Sequence, residues 1–244
     1  MIERRRADFL STAVPVLVFG VAMGYLEAAV VVYLRSALGN LSIAVPSHDP
    51  GTFGTFGTFE AVEIARELAT LVMIVAVGWL AGRSRLERLA WAAIVFGTWD
   101  IVYYLGLRVA IGWPPSFDTW DVLFLVPMAW VGPVWAPIVV SAALVAVGLT
   151  AARRLRAGRP VVGPVRAIGA LAGGGLVVLS FMVDTNRVLA GGSSAWSAWP
   201  LFWAGMALAG ATTVTALTRP ARARARRVRL DHGTGGWPPV GSPD

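Results

Sequence analysis

TWDVLFLVPMAWVGPVWAPIVV, residues 119–140, decides how this chain is laid out. It opens an apolar stretch, Trp120–Ala152, longer than the roughly 20 residues a membrane-crossing helix needs. Yet it holds Pro127, Pro133 and Pro137. Each proline lacks an amide donor and crowds the turn before it, freeing carbonyls that need another partner. Two layouts follow. One is a long fourth helix kinked by its prolines; the other is a broken or re-entrant segment followed by a full span. Freed carbonyls beside Asp121 and Asp100 would suit a hard cation.

The same stretch repeats a phrase. TWDIVYYL at 98–105 and TWDVLFLV at 119–126 each set an aspartate, Asp100 or Asp121, among aromatic and branched apolar residues. A charge there is costly unless it faces protein or water. The rest of the chain shows why this matters. Its 244 residues are 56% hydrophobic and 14% charged, with a mean hydropathy of +0.65, well below the roughly quarter charged residues of a soluble domain. Apolar runs long enough to cross a bilayer recur at about 9–34, 60–82, 86–107, 120–152, 168–189 and 199–217. The expected fold is therefore an all-α, polytopic bundle of six transmembrane helices. Residues 1–8 read as a cytoplasmic N-terminal segment, 9–217 as the transmembrane domain, and 218–244 as a basic, disordered cytoplasmic tail. The first span is too long for a signal-peptide core and reads as retained.

Arginine placement gives the orientation. The N-terminus, the 83–88 turn, the 153–166 connection and the tail carry every arginine except Arg35, Arg66, Arg108 and Arg187. By the positive-inside rule both ends are cytoplasmic and the 36–59 loop is external, in a bacterial inner membrane. The acids run the other way. Glu27, Asp49, Glu60, Glu63, Glu67, Asp100, Asp118, Asp121 and Asp184 all fall in the outer half or outside. Carboxylates contribute little to topology, so their one-sidedness needs another cause. Counted back from the span ends, Glu27, Glu67 and Asp100 lie roughly 10–12 Å deep. Several spans bring one acid each to a similar level.

Helical spacing gathers these groups. Glu60, Glu63 and Glu67 share one face, bordered by Arg66. Glu27 continues the small-residue stripe of Gly20 and Gly24. Asp100 sits with Tyr103 and Tyr104. We read Glu27, Glu63, Glu67, Asp100 and Asp121 as the ligand- or cation-binding set, with Arg66, Tyr103, Tyr104, Trp120, Asp184 and Arg187 in support. Glu63, Glu67, Asp100 and Asp121 are the candidate ligands of a divalent cation. Plainer roles stand beside these: an ion pair between Glu27 and Arg66, a helix N-cap at Asp118, an edge cluster of Asp184, Asn186 and Arg187, and aromatic-belt roles for Tyr103, Tyr104, Trp113 and Trp120.

Other chemistry is excluded by composition. The chain has no cysteine, no lysine and two distant histidines, His48 and His232. That removes thiolate metals, Schiff bases, haem and His-box iron. No nucleotide-binding or serine-hydrolase motif is present. The tail RPARARARRVRL, 219–230, suits lipid headgroups and not nucleic acid. Two functional readings remain, with a third that is structural only. A site of acids and tryptophans would bind or transport a cation or cationic small molecule, alone or with another membrane subunit. A divalent cation held there would instead serve a membrane-embedded enzyme acting on a lipid or lipid-linked substrate. A non-catalytic partner protein would use the polar cluster for packing alone.

Overall fold

The computed structural model describes residues 2–37, 57–159, 163–190 and 195–218. Six of its helices are long and apolar enough to cross a membrane. In chain order the elements are α1 (Ile2–Ala37), α2 (Gly57–Ala81), α3 (Arg85–Ile111), β1 (Trp120–Phe124), β2 (Trp130–Pro133), α4 (Trp135–Arg156), α5 (Pro164–Val183), the short α6 (Thr185–Leu189) and α7 (Trp199–Thr218). Residues 2–8 are helical and continuous with the first span. The tail, the GTF repeat at 51–59, His48 and Asp49 lie outside the described residues or side chains, as does the Glu60 side chain.

Residues 119–134 are not helical, so the stretch is broken ahead of its span. They form an antiparallel hairpin, and the fourth spanning helix begins only at Trp135. The prolines explain the break. Pro127 falls between the strands and Pro133 ends β2, where no ladder donor is needed. Pro137 lies in the first turn of α4, whose amides have no helical acceptor anyway. Trp120 pairs with Pro133, Asp121 with Gly132 and Val122 with Val131, and the register slips by one residue before Phe124 meets Trp130. The same break removes the cap expected at Asp118, because a strand and not a helix follows it.

The α3 helix is the hub. Ser84 caps its start through a 3.3 Å bond from the Glu87 amide, and Gly112, at φ 70°, closes its end in the left-handed region. It packs against α1, α2 and α4, with Trp91, Ile94, Val95 and Leu107 fully buried. Gly97 permits the closest of these approaches: a Cβ there would overlap the Ser141 carbonyl of α4. The α5–α7 pair is a second unit, joined through small residues at Gly173 and Gly205. The Gly20/Gly24 and Gly169/Gly173 stripes are both spent on packing inside the chain. An aromatic cluster of Phe181, Trp196 and Phe202, with Trp120, Trp130 and Trp135, ties the second unit to the hairpin.

The bundle end holding the α2–α3 turn is locked by charge. Glu87 and Arg156 are both 4% exposed and meet at 2.7 Å. Glu87 also accepts from Trp91 Nε1 and from the Arg83 amide. Arg156 donates to the Asp8 carbonyl, and Arg83 pairs with the Asp8 carboxylate at 2.6 Å. One knot thus joins α1, the α2–α3 turn, α3 and α4. The hairpin is at the opposite end.

Candidate functional site

The hairpin and the first three helices enclose a cavity of about 60 Å³. Glu27 comes from α1, Arg66, Glu67 and Thr70 from α2, and Trp99, Asp100, Tyr103 and Tyr104 from α3. Asp121 and the following residues to Phe124 come from β1. Four carboxylates predicted from separate segments therefore line one small space. The helix phases agree with this: Glu67 and Thr70 are three residues apart on one face, and Asp100, Tyr103 and Tyr104 share another.

Each carboxylate is held by a donor. Glu67 Oε2 accepts from the Leu125 amide at 3.0 Å, so an α2 side chain supplies the partner for a hairpin amide. Asp100 Oδ2 accepts from Ser141 Oγ of α4 at 2.7 Å. Asp121 Oδ2 accepts from the Tyr104 hydroxyl at 3.0 Å and its Oδ1 from the Val122 amide at 3.0 Å. Glu27 forms an ion pair with Arg66, whose guanidinium also meets Glu63 at 2.7 Å. The aromatic wall is continuous, with Trp99 and Phe124 6.2 Å apart and Phe124 5.3 Å from Trp130.

The charge balance is negative. One arginine faces four carboxylates around the cavity, and that arginine is partly engaged by a fifth, Glu63. Asp121, on the hairpin between the spans, is pushed up to about 6 by burial. The Tyr104 hydroxyl, the nearby positive charge of Arg35 and the Val122 amide pull the other way.

Several expected members lie elsewhere. Glu63 faces Arg66 and does not line the cavity. Trp120 packs into the aromatic cluster beside α5 and α7. Asp184 binds Arg187 at 2.8 Å and Ser197 through both its oxygens, an edge cluster apart from the cavity. The divalent-cation set of Glu63, Glu67, Asp100 and Asp121 is not assembled. Among the described residues no three His, Asp or Glu side chains converge as metal ligands. The reason is local: Glu63 is drawn to Arg66, and the other three are turned to separate protein donors.

Sequence reasoning missed Thr70, Trp99, Phe124, Ser141 and Arg35. Thr70 and Trp99 had a signal, being three residues from Glu67 and next to Asp100. Arg35 had one too: it stands eight residues after Glu27, two turns along the same face of α1. Ser141 had none, because the α3–α4 approach that delivers it depends on Gly97.

A bundle of six helices long and apolar enough to cross a membrane, with large apolar side chains exposed along them, has the character of a multi-pass membrane protein. No protein-family model matches the chain, and comparison with curated proteins and with solved structures finds no significant match.

Proposed function

We propose that this protein binds, and carries or presents, a small cation or cationic small molecule at the carboxylate-lined cavity, in a bacterial inner membrane with both termini cytoplasmic. One observation carries the reading: Glu27, Glu67, Asp100 and Asp121 reach a single cavity from three helices and a hairpin. A lone acid at such depth costs at least about 2.5 kcal/mol on insertion scales, and a chain selected only for packing has no need to repeat that cost at one place.

Cavity size narrows the ligand. About 60 Å³ accommodates roughly four water-sized groups, enough for an ammonium head or a monovalent ion with part of its water. Trp99, Tyr103 and Phe124 line the cavity, and aromatic lining favours a weakly hydrated cation over a tightly hydrated divalent one. The carboxylates, each already accepting from a protein donor, also suit single charge better than a closed metal shell.

The test is calorimetric titration of purified protein with ammonium, methylammonium, alkali ions and Mg²⁺, followed by flux into liposomes. Saturable binding of a monovalent cation, abolished by Asp100→Asn, supports the proposal. Binding of none of these ions, or binding unaffected by Asp100→Asn, would overturn it.

A further inference from the structure

Arg35 lies in the last turn of α1, is 5% exposed and does not itself line the cavity. Its guanidinium lies 4.4 Å over the Trp113 ring. Its Nη1 is buried and has no hydrogen-bond partner among the described residues, and the Trp113 indole nitrogen is in the same condition. A buried donor without an acceptor costs about 1–3 kcal/mol, more when charged. Arg66 shows the contrast, being shared between Glu27 and Glu63. Two idle donors therefore stand together at one edge of a site rich in acceptors.

We infer that Arg35 and Trp113 form an anion subsite, so that the ligand is a small zwitterion with an ammonium group and a carboxylate or phosphate joined by a short linker. This rests on the cavity binding the cationic end. Stacking on an indole occupies the face of a guanidinium and leaves its in-plane N–H groups, whose fork matches two oxygens of a carboxylate or phosphate. The two subsites are neighbours. Trp113 is 6.2 Å from the Tyr104 ring, and Tyr104 lines the cavity and holds Asp121. Arg35 is close enough to Asp121 to favour its ionised form. Along α1, Arg35 and Glu27 are separated by roughly 12 Å, which limits the ligand to a compact molecule or headgroup. A bare cation would leave Arg35 and Trp113 as they are; a zwitterion satisfies both.

The experiment uses full-length protein in a non-ionic detergent, titrated with ethylammonium, glycine, phosphoethanolamine and a short-chain phosphatidylethanolamine. Glycine or phosphoethanolamine should bind about ten-fold or more tighter than ethylammonium, the worth of one charge-assisted contact. Arg35→Ala should erase that advantage, read as the ratio of zwitterion to ethylammonium affinity well above pH 6, where Asp121 stays ionised in both proteins. Trp113→Phe, which keeps the ring and removes the donor, should reduce the advantage in part and serves if the Arg35 variant fails to fold. Preference for the short-chain lipid over phosphoethanolamine assigns the anion to a headgroup, and the reverse to a free solute; both support the subsite. Ethylammonium binding as tightly as the zwitterions in the unsubstituted protein overturns it. So does an equal loss of every probe in both variants. If no probe binds, the cation reading falls with it.

Discussion

Glu67 on α2 accepts a hydrogen bond from the Leu125 backbone amide at the end of β1, at 3.0 Å. A helix carboxylate therefore does two things: it contributes charge to the cavity and anchors the hairpin that closes it. Substitution separates them. Glu67→Gln keeps an oxygen that can accept from Leu125, whereas Glu67→Ala leaves that amide without its partner at a cost of about 1–3 kcal/mol. Cation affinity should fall in both variants, while the melting temperature should drop clearly only in Glu67→Ala. Thermal unfolding of each variant, paired with titration, checks this. Equal melting temperatures would mean that the bond does not hold the hairpin.

How much of this was legible in the sequence depends on which interactions are local. The spans were readable because apolar length alone sets them. The inward acids were readable too, since a charge at membrane depth must find protein or water. The hairpin was only half legible. Pro127, Pro133 and Pro137 announce a break, but whether the freed backbone bends a helix or pairs as strands is settled by contacts from afar, such as Glu67 to Leu125 and Phe124 to Phe96. Glu63 was misplaced for a similar reason: its helical phase is right, but Arg66 lies one turn away and captures it. Glu87 carried no local signal of its role, because its partner Arg156 is 69 residues distant in sequence.

That Glu87–Arg156 pair yields the second prediction. Removing one partner strands a buried charge, which typically costs about 3–5 kcal/mol. Arg156→Ala should markedly lower the melting temperature or the yield. The knot is at the opposite end of the bundle from the cavity, so cation affinity in the folded fraction should be unchanged. Replacing both residues, as Glu87→Leu with Arg156→Met, should recover much of the lost stability. A changed affinity in folded Arg156→Ala protein would show that the two ends are coupled.

Acidification should weaken binding through Asp121. Its carboxyl is raised to about 6 by burial, and only the ionised form attracts a cation. The groups around it include Arg35 and the donating Tyr104 hydroxyl, which favour ionisation, then Tyr103 and the cavity acids Glu27, Glu67 and Asp100 beside Arg66. Affinity should be full near neutral pH and decline as pH falls through about 6, by up to about ten-fold per unit below it. Asp121→Asn should remove that inflection. Titration at a series of pH values checks it, and an inflection confined to the ordinary carboxylate range near 4 would count against Asp121.

The two TWD aspartates allow the sharpest separation of function from packing. Asp100 reaches the cavity on α3, braced by Ser141, and Asp121 reaches it on β1, braced by Tyr104. Asn in place of either keeps an acceptor for the same hydroxyl while removing the charge. If both serve one cation, each single variant should lose binding by about ten-fold or more, and the double variant should be little worse, because groups acting as a unit are not additive. Folding should survive, since neutralising a buried acid also removes its desolvation cost. Were the aspartates present only to fix helix packing, the pattern would reverse, with lower melting temperatures and intact binding in the protein that remains. Ser141→Ala provides an internal control: it unseats Asp100 without touching charge, so it should weaken binding less than Asp100→Asn. Melting curves and titrations on these four proteins decide the matter, and destabilised variants with undiminished affinity would remove both aspartates from the site.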